Sequence, residues 1–265
     1  MKNRLIASAT AFILVVFAAQ ASFAQLAPPN ASGVAAGHVH INASDMDAQV
    51  RFWTAVGGKI VQREKLTMVQ FPGIYVLLRK QDNTGGTVGS TMNHFGFYVR
   101  DFAPTVAKWK AAGLTWEPAN NPTVGQGFLT GPDAVRIEIY ENKSIPTPMA
   151  MHHIHLQVVD DAAALEWYVK HFGATAGKRN TFVTANVPGA EIAISKVEKA
   201  QAPIDGRSVD HIGFEVKNID AFVAKLRAAG IKTDADIRNS ANAAGLRIVY
   251  VTDPWGTKIE ITEGL

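Results

Sequence analysis

The stretch Val209-Asp-His-Ile-Gly-Phe-Glu-Val216 decides how this chain is read. Apolar and polar residues alternate along it as in a β-strand, with one histidine, His211, near its start. Met92-Asn-His-Phe-Gly-Phe-Tyr-Val99 has the same form, with His94 in the same place, 117 residues earlier. Other segments recur in the same way. Gly37-His-Val-His-Ile-Asn42 returns as His152-His-Ile-His-Leu-Gln157 after 115 residues. Phe128-Leu-Thr-Gly-Pro132, followed by Ile137-Glu-Ile139, returns as Tyr250-Val-Thr-Asp-Pro254 and Ile259-Glu-Ile261 after 122.

The segments between these strands also repeat. Met46–Ala55, Ala103–Ala112, Ala162–Phe172 and Ile219–Ala229 read as helices, stopped by Gly57, Gly113, Gly173 and Gly230. Short strands follow each helix. The chain is therefore expected to hold four βαβββ units, an α+β architecture of curved mixed sheets with helices outside. The Pro-rich joint Ile145-Pro-Thr-Pro-Met149 places the expected domains at 37–144 and 152–265, with a linker at 145–151 and a flexible lead-in at 25–36.

Residues 1–24 read as an export signal. Lys2 and Arg4 precede an apolar run from Leu5 to Ala21, and Ser22-Phe23-Ala24 offers small residues for cleavage. This predicts a periplasmic or secreted bacterial protein with no stable membrane insertion after cleavage. Of 26 basic residues, 24 would then remain against 23 acidic ones, a balance that gives no basis for nucleic-acid binding. There is no cysteine, which excludes disulfides, thiolate ligands and thiol nucleophiles.

Side chains on a strand alternate, so His38 and His40 share a face, as do His153 and His155. Glu138 and Glu260 each lie between two isoleucines, where a carboxylate is costly unless it meets a polar site or a metal. Two imidazoles and one carboxylate suit a divalent ion with open positions. Taken in chain order, the expected sets are His38, His94, Glu138 and His153, His211, Glu260. His40 and His155 are expected beside the metal rather than on it, and His152, one residue out of phase, is expected to face away and be structural. His40, His155 and Tyr250 are the candidate general bases or proton donors.

The motifs His153-x-His155-x-x-x-x-Asp160, His211-Ile-Gly-Phe-Glu-Val216 and Asp253-Pro-Trp-Gly-Thr-Lys-Ile-Glu260 resemble the vicinal oxygen chelate superfamily, which includes glyoxalase I, bleomycin and fosfomycin resistance proteins and extradiol dioxygenases. The resemblance covers about 37–264 and implies two tandem glyoxalase-like domains. It also implies a divalent metal (Fe, Zn, Mn or Ni) on the two His/His/Glu sets and a small-molecule substrate. The implied activity is isomerisation, lysis or addition on a small oxygenated compound, by a monomer or homodimer. The fourth ligand of glyoxalase I, a Glu or Gln, would fall near Leu77 and Ala193, which cannot serve. The tail Tyr250-x-x-Asp253-Pro254-x-Gly256-x-x-x-Glu260 resembles the extradiol signature, which implies Fe(II) ring cleavage as an alternative. That signature's upstream histidine is missing from 240–245, and Ser195 and Lys196 stand where an acid/base histidine would be. A binding or resistance protein without catalysis is the third reading.

Overall fold

The computed structural model describes residues 26–119 and 125–265. The expected export signal lies outside the described residues. The first unit comprises strand β1 (Val34–Ala43), helix α1 (Met46–Val56) and strands β2 (Lys59–Arg63), β3 (Leu66–Phe71) and β4 (Ile74–Lys80). The second comprises β5 (Met92–Val99), α2 (Phe102–Ala111), β6 (Thr115–Pro118), β7 (Gln126–Thr130) and β8 (Arg136–Glu141). The third comprises β9 (Met149–Val158), α3 (Asp161–Phe172), β10 (Thr175–Arg179), β11 (Phe182–Val187) and β12 (Ala190–Lys196). The fourth comprises β13 (Val209–Val216), α4 (Ile219–Ala228), β14 (Arg238–Asn239), β15 (Arg247–Thr252) and β16 (Lys258–Glu263).

Local chemistry accounts for the helix ends. Asp45, Asp160 and Asn218 cap α1, α3 and α4 by accepting backbone N–H bonds three residues on. Gly57 and Gly173 end α1 and α3 at positive φ, where a side chain would be strained.

Among the described residues the fold is two curled, mixed eight-stranded sheets with four α-helices. The first unit does not pair with the second, nor the third with the fourth. One sheet runs β14-β15-β16-β13-β1-β4-β3-β2 and joins the fourth unit to the first. The other runs β10-β11-β12-β9-β5-β8-β7-β6 and joins the third to the second. Each half of the chain thus gives one unit to each sheet, so the expected pairing of 37–144 within itself and 152–265 within itself is corrected. Each sheet closes through an antiparallel seam, β1 on β13 and β5 on β9.

The lead-in is also tied down. Strand β1 begins at Val34 rather than Gly37. Before it, Asn30 donates to the carbonyls of Phe172 and Gly173 at 3.0 Å each, and its oxygen accepts from Ser32 and Val34. The linker is shorter than expected, because Met149 to Met151 already lie in β9.

The main apolar core runs between the sheets. Trp53 stacks on Phe95 at 6.0 Å, Phe71 meets Phe97 at 4.7 Å, and Phe172 meets Phe214 at 4.8 Å. On β5 and β13, Phe95, Phe97, Ile212 and Phe214 join this core. Strand alternation sends His94, Gly96, His211 and Gly213 to the opposite, concave face.

Candidate metal centres

The seams bring together two buried groups, His38, His40, His211 and Glu260 in one sheet and His94, His153, His155 and Glu138 in the other; in each, the ligand atoms lie within 4.8 Å of one another. All six expected metal ligands are present in these groups, but their partners differ from expectation. His38 meets His211 and Glu260, not His94 and Glu138; His153 meets His94 and Glu138, not His211 and Glu260. The reason is the sheet topology: His40 sits opposite His211 across one seam and His155 opposite His94 across the other.

Two glycines make the approach feasible. A Cβ on Gly213 would lie 2.0 Å from the His38 ring, and one on Gly96 would lie 2.4 Å from the His153 ring. Two bulges in each seam do the rest. Asp210 and Asn93 are extra residues on β13 and β5, and Gly37 and His152 are extra residues on β1 and β9. A bulge turns a side chain that alternation would send elsewhere. Asp210 thereby reaches His211 Nδ1 at 2.6 Å, and Asn93 reaches His94 Nδ1 at 2.9 Å. His152 is not turned away as expected. Its ring stacks on Tyr98 at 3.9 Å, meets Tyr140 edge-on, and its Nδ1 lies 3.1 Å from His153 Nδ1.

The remaining ring nitrogens converge on the glutamates. In the first centre, Glu260 Oε2 lies 2.9 Å from His38 Nε2 and 3.2 Å from His211 Nε2. In the second, Glu138 Oε2 lies 3.1 Å from both His94 Nε2 and His153 Nε2. His38 Nε2 and His153 Nε2 are buried and lack an aligned hydrogen-bond partner. Ligand atoms held about 2.1 Å from a shared ion, at right angles, lie roughly 3 Å apart. The observed spacing and the unpaired nitrogens therefore fit a divalent ion on two imidazoles and one carboxylate, the donor set of open-sided iron and zinc sites.

His40 and His155 complete the two groups. They are the cross-strand neighbours of Leu77 and Ala193, the positions where the resemblance to glyoxalase I places a fourth ligand, Glu or Gln. A histidine on the adjacent strand thus occupies the fourth corner. Both nitrogens of His40 are buried without partners, whereas His155 Nε2 meets Ser195 Oγ at 2.6 Å.

The electrostatics follow from burial and pairing. Burial would raise Glu260, but contacts with His211 and His38 outweigh it and hold the carboxylate well below its ordinary range. Glu138 is held low in the same way by His153 and His94. Burial lowers His38 and His40, and it pushes His153 and His155 down to about 3 and His152 to about 2. Burial would also lower His211, but hydrogen bonds to Asp210 and Glu260 win and raise it. Unpaired imidazoles kept neutral are in the protonation state that binds a metal.

The centres are not copies. Asp210 backs the first, and also contacts Arg79 and Lys258; Asn93 backs the second. Tyr250 lies opposite Glu260, its ring 5.1 Å from His211. Phe128 lies opposite Glu138. Gln126 donates to Glu138 Oε1 at 2.6 Å and to the Tyr140 hydroxyl at 2.7 Å. The walls differ too. Leu66, Met68 and Leu77 in the first sheet are covered by Ala243 and Leu246, and Arg63 binds the carbonyls of Ala244 and Gly264.

Residues 150–261 match the model of the Glyoxalase/Bleomycin resistance protein/Dioxygenase superfamily. Glyoxalase I from Zea mays superposes with a TM-score of 0.65 at 17% identity, covering 85% of this chain and 91% of that one. A putative dioxygenase from Bacillus subtilis superposes with a TM-score of 0.64 at 14% identity, covering 91% and 86%. The cadmium-induced protein CadI of Mycobacterium tuberculosis is 29% identical over 120 residues, 43% of this chain and 75% of that protein. A vicinal oxygen chelate domain is thus matched over residues 150–261, and the fold is that of glyoxalase-like sheets.

Proposed function

We propose that this chain is an exported, divalent-metal-dependent enzyme, glyoxalase-like in the broad sense, that acts on neighbouring oxygens of a small oxygenated substrate. The observation that carries the reading is the convergence of His38, His211 and Glu260, and of His94, His153 and Glu138, at 2.9–3.2 Å. A bound divalent ion would supply Lewis acidity toward two adjacent substrate oxygens.

The chain's own residues supply the rest. His40, neutral and buried with both nitrogens free, is placed to accept a proton from a substrate beside Glu260. Burial, then the neighbouring Glu260, keeps the Tyr250 phenol protonated, so it serves as a donor. His155 is tied to Ser195, which makes the first centre the better seat for proton transfer.

A second reading, Fe(II) ring cleavage, draws on the same geometry. His40, from another strand, stands beside His211 and Glu260 as a candidate for the acid/base role. Elemental analysis of the purified protein and oxygen uptake with catechol decide between the two. Iron with oxygen consumption favours ring cleavage, and zinc, nickel or manganese favours the lyase or isomerase. Wild type is expected to hold two ions per chain, and Glu260→Gln or Glu138→Gln one. If neither the native nor the metal-dialysed protein holds stoichiometric metal, both readings fail and a pure binding protein remains. N-terminal sequencing of protein from the periplasm or medium is expected to begin at Gln25; recovery only from the cytoplasm, with Met1 intact, overturns export.

A further inference from the structure

A pocket of about 810 Å³ lies beside the first centre at one end of its sheet, and none of the centre's four residues belongs to its wall. Tyr250 belongs both to the pocket wall and to the surroundings of His211 and Glu260. The wall holds Arg79, Lys232, Arg238 and Lys258 against Asp205 and Asp234; Lys258 pairs with Asp205, Arg238 with Asp234, and both Arg79 and Lys258 with Asp210, which leaves a surplus of one positive charge. Three of these cations are anchored. Arg79 donates two bonds to Asn42 Oδ1. Lys258 Nζ lies 5.1 Å from the Tyr250 ring centre, and the Arg238 guanidinium lies 5.3 Å from it. Lys258 and Arg79 are two residues along their strands from Glu260 and Leu77, on the same concave face.

The second centre lacks this arrangement. By strand position, Ser195 stands for Arg79 and Phe128 for Tyr250. Arg136, in place of Lys258, lies flat over Phe128 at 3.9 Å.

Anchored cations at the mouth of a site attract an anionic group and fix its orientation. We infer that the substrate of the first centre carries a carboxylate or a comparable anion, which Arg79, Arg238 and Lys258 hold at the mouth while its vicinal oxygens reach toward His38, His211 and Glu260. The inner contacts rest on the metal reading; the charge of the mouth does not.

A matched pair of ligands tests it: catechol, and 3,4-dihydroxybenzoate, which adds only a carboxylate. Binding to the whole protein is measured by calorimetry, as isolated and after loading with redox-inert zinc. The acid is expected to bind about tenfold tighter than catechol, the value of one charge-assisted hydrogen bond. Arg238→Met, which leaves the partners of Asp210 in place, and Arg79→Met should each remove most of that preference without reducing zinc stoichiometry. Equal binding of the two ligands, or a preference unchanged in both variants, overturns the inference. Failure to take up zinc sinks the metal reading alone, since the acid preference is read on the isolated protein as well.

Discussion

At the scale of single residues, Gly213 and Gly96 govern the centres as much as the ligands do. Gly213→Ala would force a methyl against the His38 ring, 2.0 Å away. Overpacking of this kind costs about 1–3 kcal/mol. The variant is expected to fold with a lower Tm and to lose one of two metal ions, the second centre staying filled. Full stoichiometry in Gly213→Ala would show that His38 is not a ligand. The imidazoles also set a pH dependence in the metal-free protein. His152, His153 and His155 stay neutral in the fold down to about 2–3, yet protonate near 6.5 when unfolded. Below 6.5 the unfolded chain therefore binds more protons, so stability is full above that value and declines with acidification. His38 and His40 shift in the same direction. Glu138 and Glu260, held low, add to the loss below about 4.5. His211 acts oppositely: its contribution is present below 6.5 and lost as pH rises through its elevated folded value. Urea unfolding between pH 6.5 and 4 should show stability falling by more than ~1.4 kcal/mol per pH unit, the slope for a single proton. A flat profile would contradict the buried, neutral state of these rings.

At the scale of elements, the segment before β1 has a role its composition conceals. Asn30 satisfies two carbonyls at the end of α3 and two N–H groups of its own turn. Asn30→Ala is expected to lower stability by about 1–3 kcal/mol, read as a shift in urea midpoint with an unchanged m-value; no shift would make the turn dispensable. Asn-Ala-Ser-Gly33 reads from sequence only as part of a flexible lead-in, because its acceptors lie some 140 residues away. The elements themselves were legible. Period-two alternation marked Val209–Val216 to the residue, and Gly57 and Gly173 marked helix ends. The residue types of the two clusters were legible because Glu138 and Glu260 interrupt isoleucine strands. What sequence did not reveal was which strand pairs with which. A repeat specifies the face of each strand but not its neighbour, and all four units carry nearly the same faces. A clue was present in His211-Ile-Gly213 and His94-Phe-Gly96, where the missing side chain marks a foreign imidazole. The bulges were not legible, so His152 was read as facing away and Asp210 went unnoticed.

At the scale of the molecule, each metal centre draws on both halves of the chain. His38 comes from the first half and His211 and Glu260 from the second; His94 and Glu138 come from the first and His153 from the second. A chain of residues 149–265 made alone holds one incomplete set from each centre. It is expected to take up no metal as a monomer, and to do so only as a dimer in which the fourth unit of one copy meets the third of the other. Size exclusion coupled to elemental analysis reads this, and a metal-loaded monomeric half would contradict the crossed pairing. Mixing the two halves should restore two ions per pair.

The nesting of one sheet within the other also fixes an order of events when the chain first folds. Strands β5 to β12 form an uninterrupted run from Met92 to Lys196, and their sheet can close once that run exists. The other sheet must wait. Strands β1 to β4 have no partner for the seam edge of β1 until β13 arrives, and the set is complete only at Glu263. The entropic cost of a longer loop grows slowly, but the time spent searching grows more, since non-local strand pairing is slow. The early-made first unit is thus held as an exposed, unsealed edge while the middle of the protein matures. The inner sheet, once formed, brings the outer strands together by shortening the path between them.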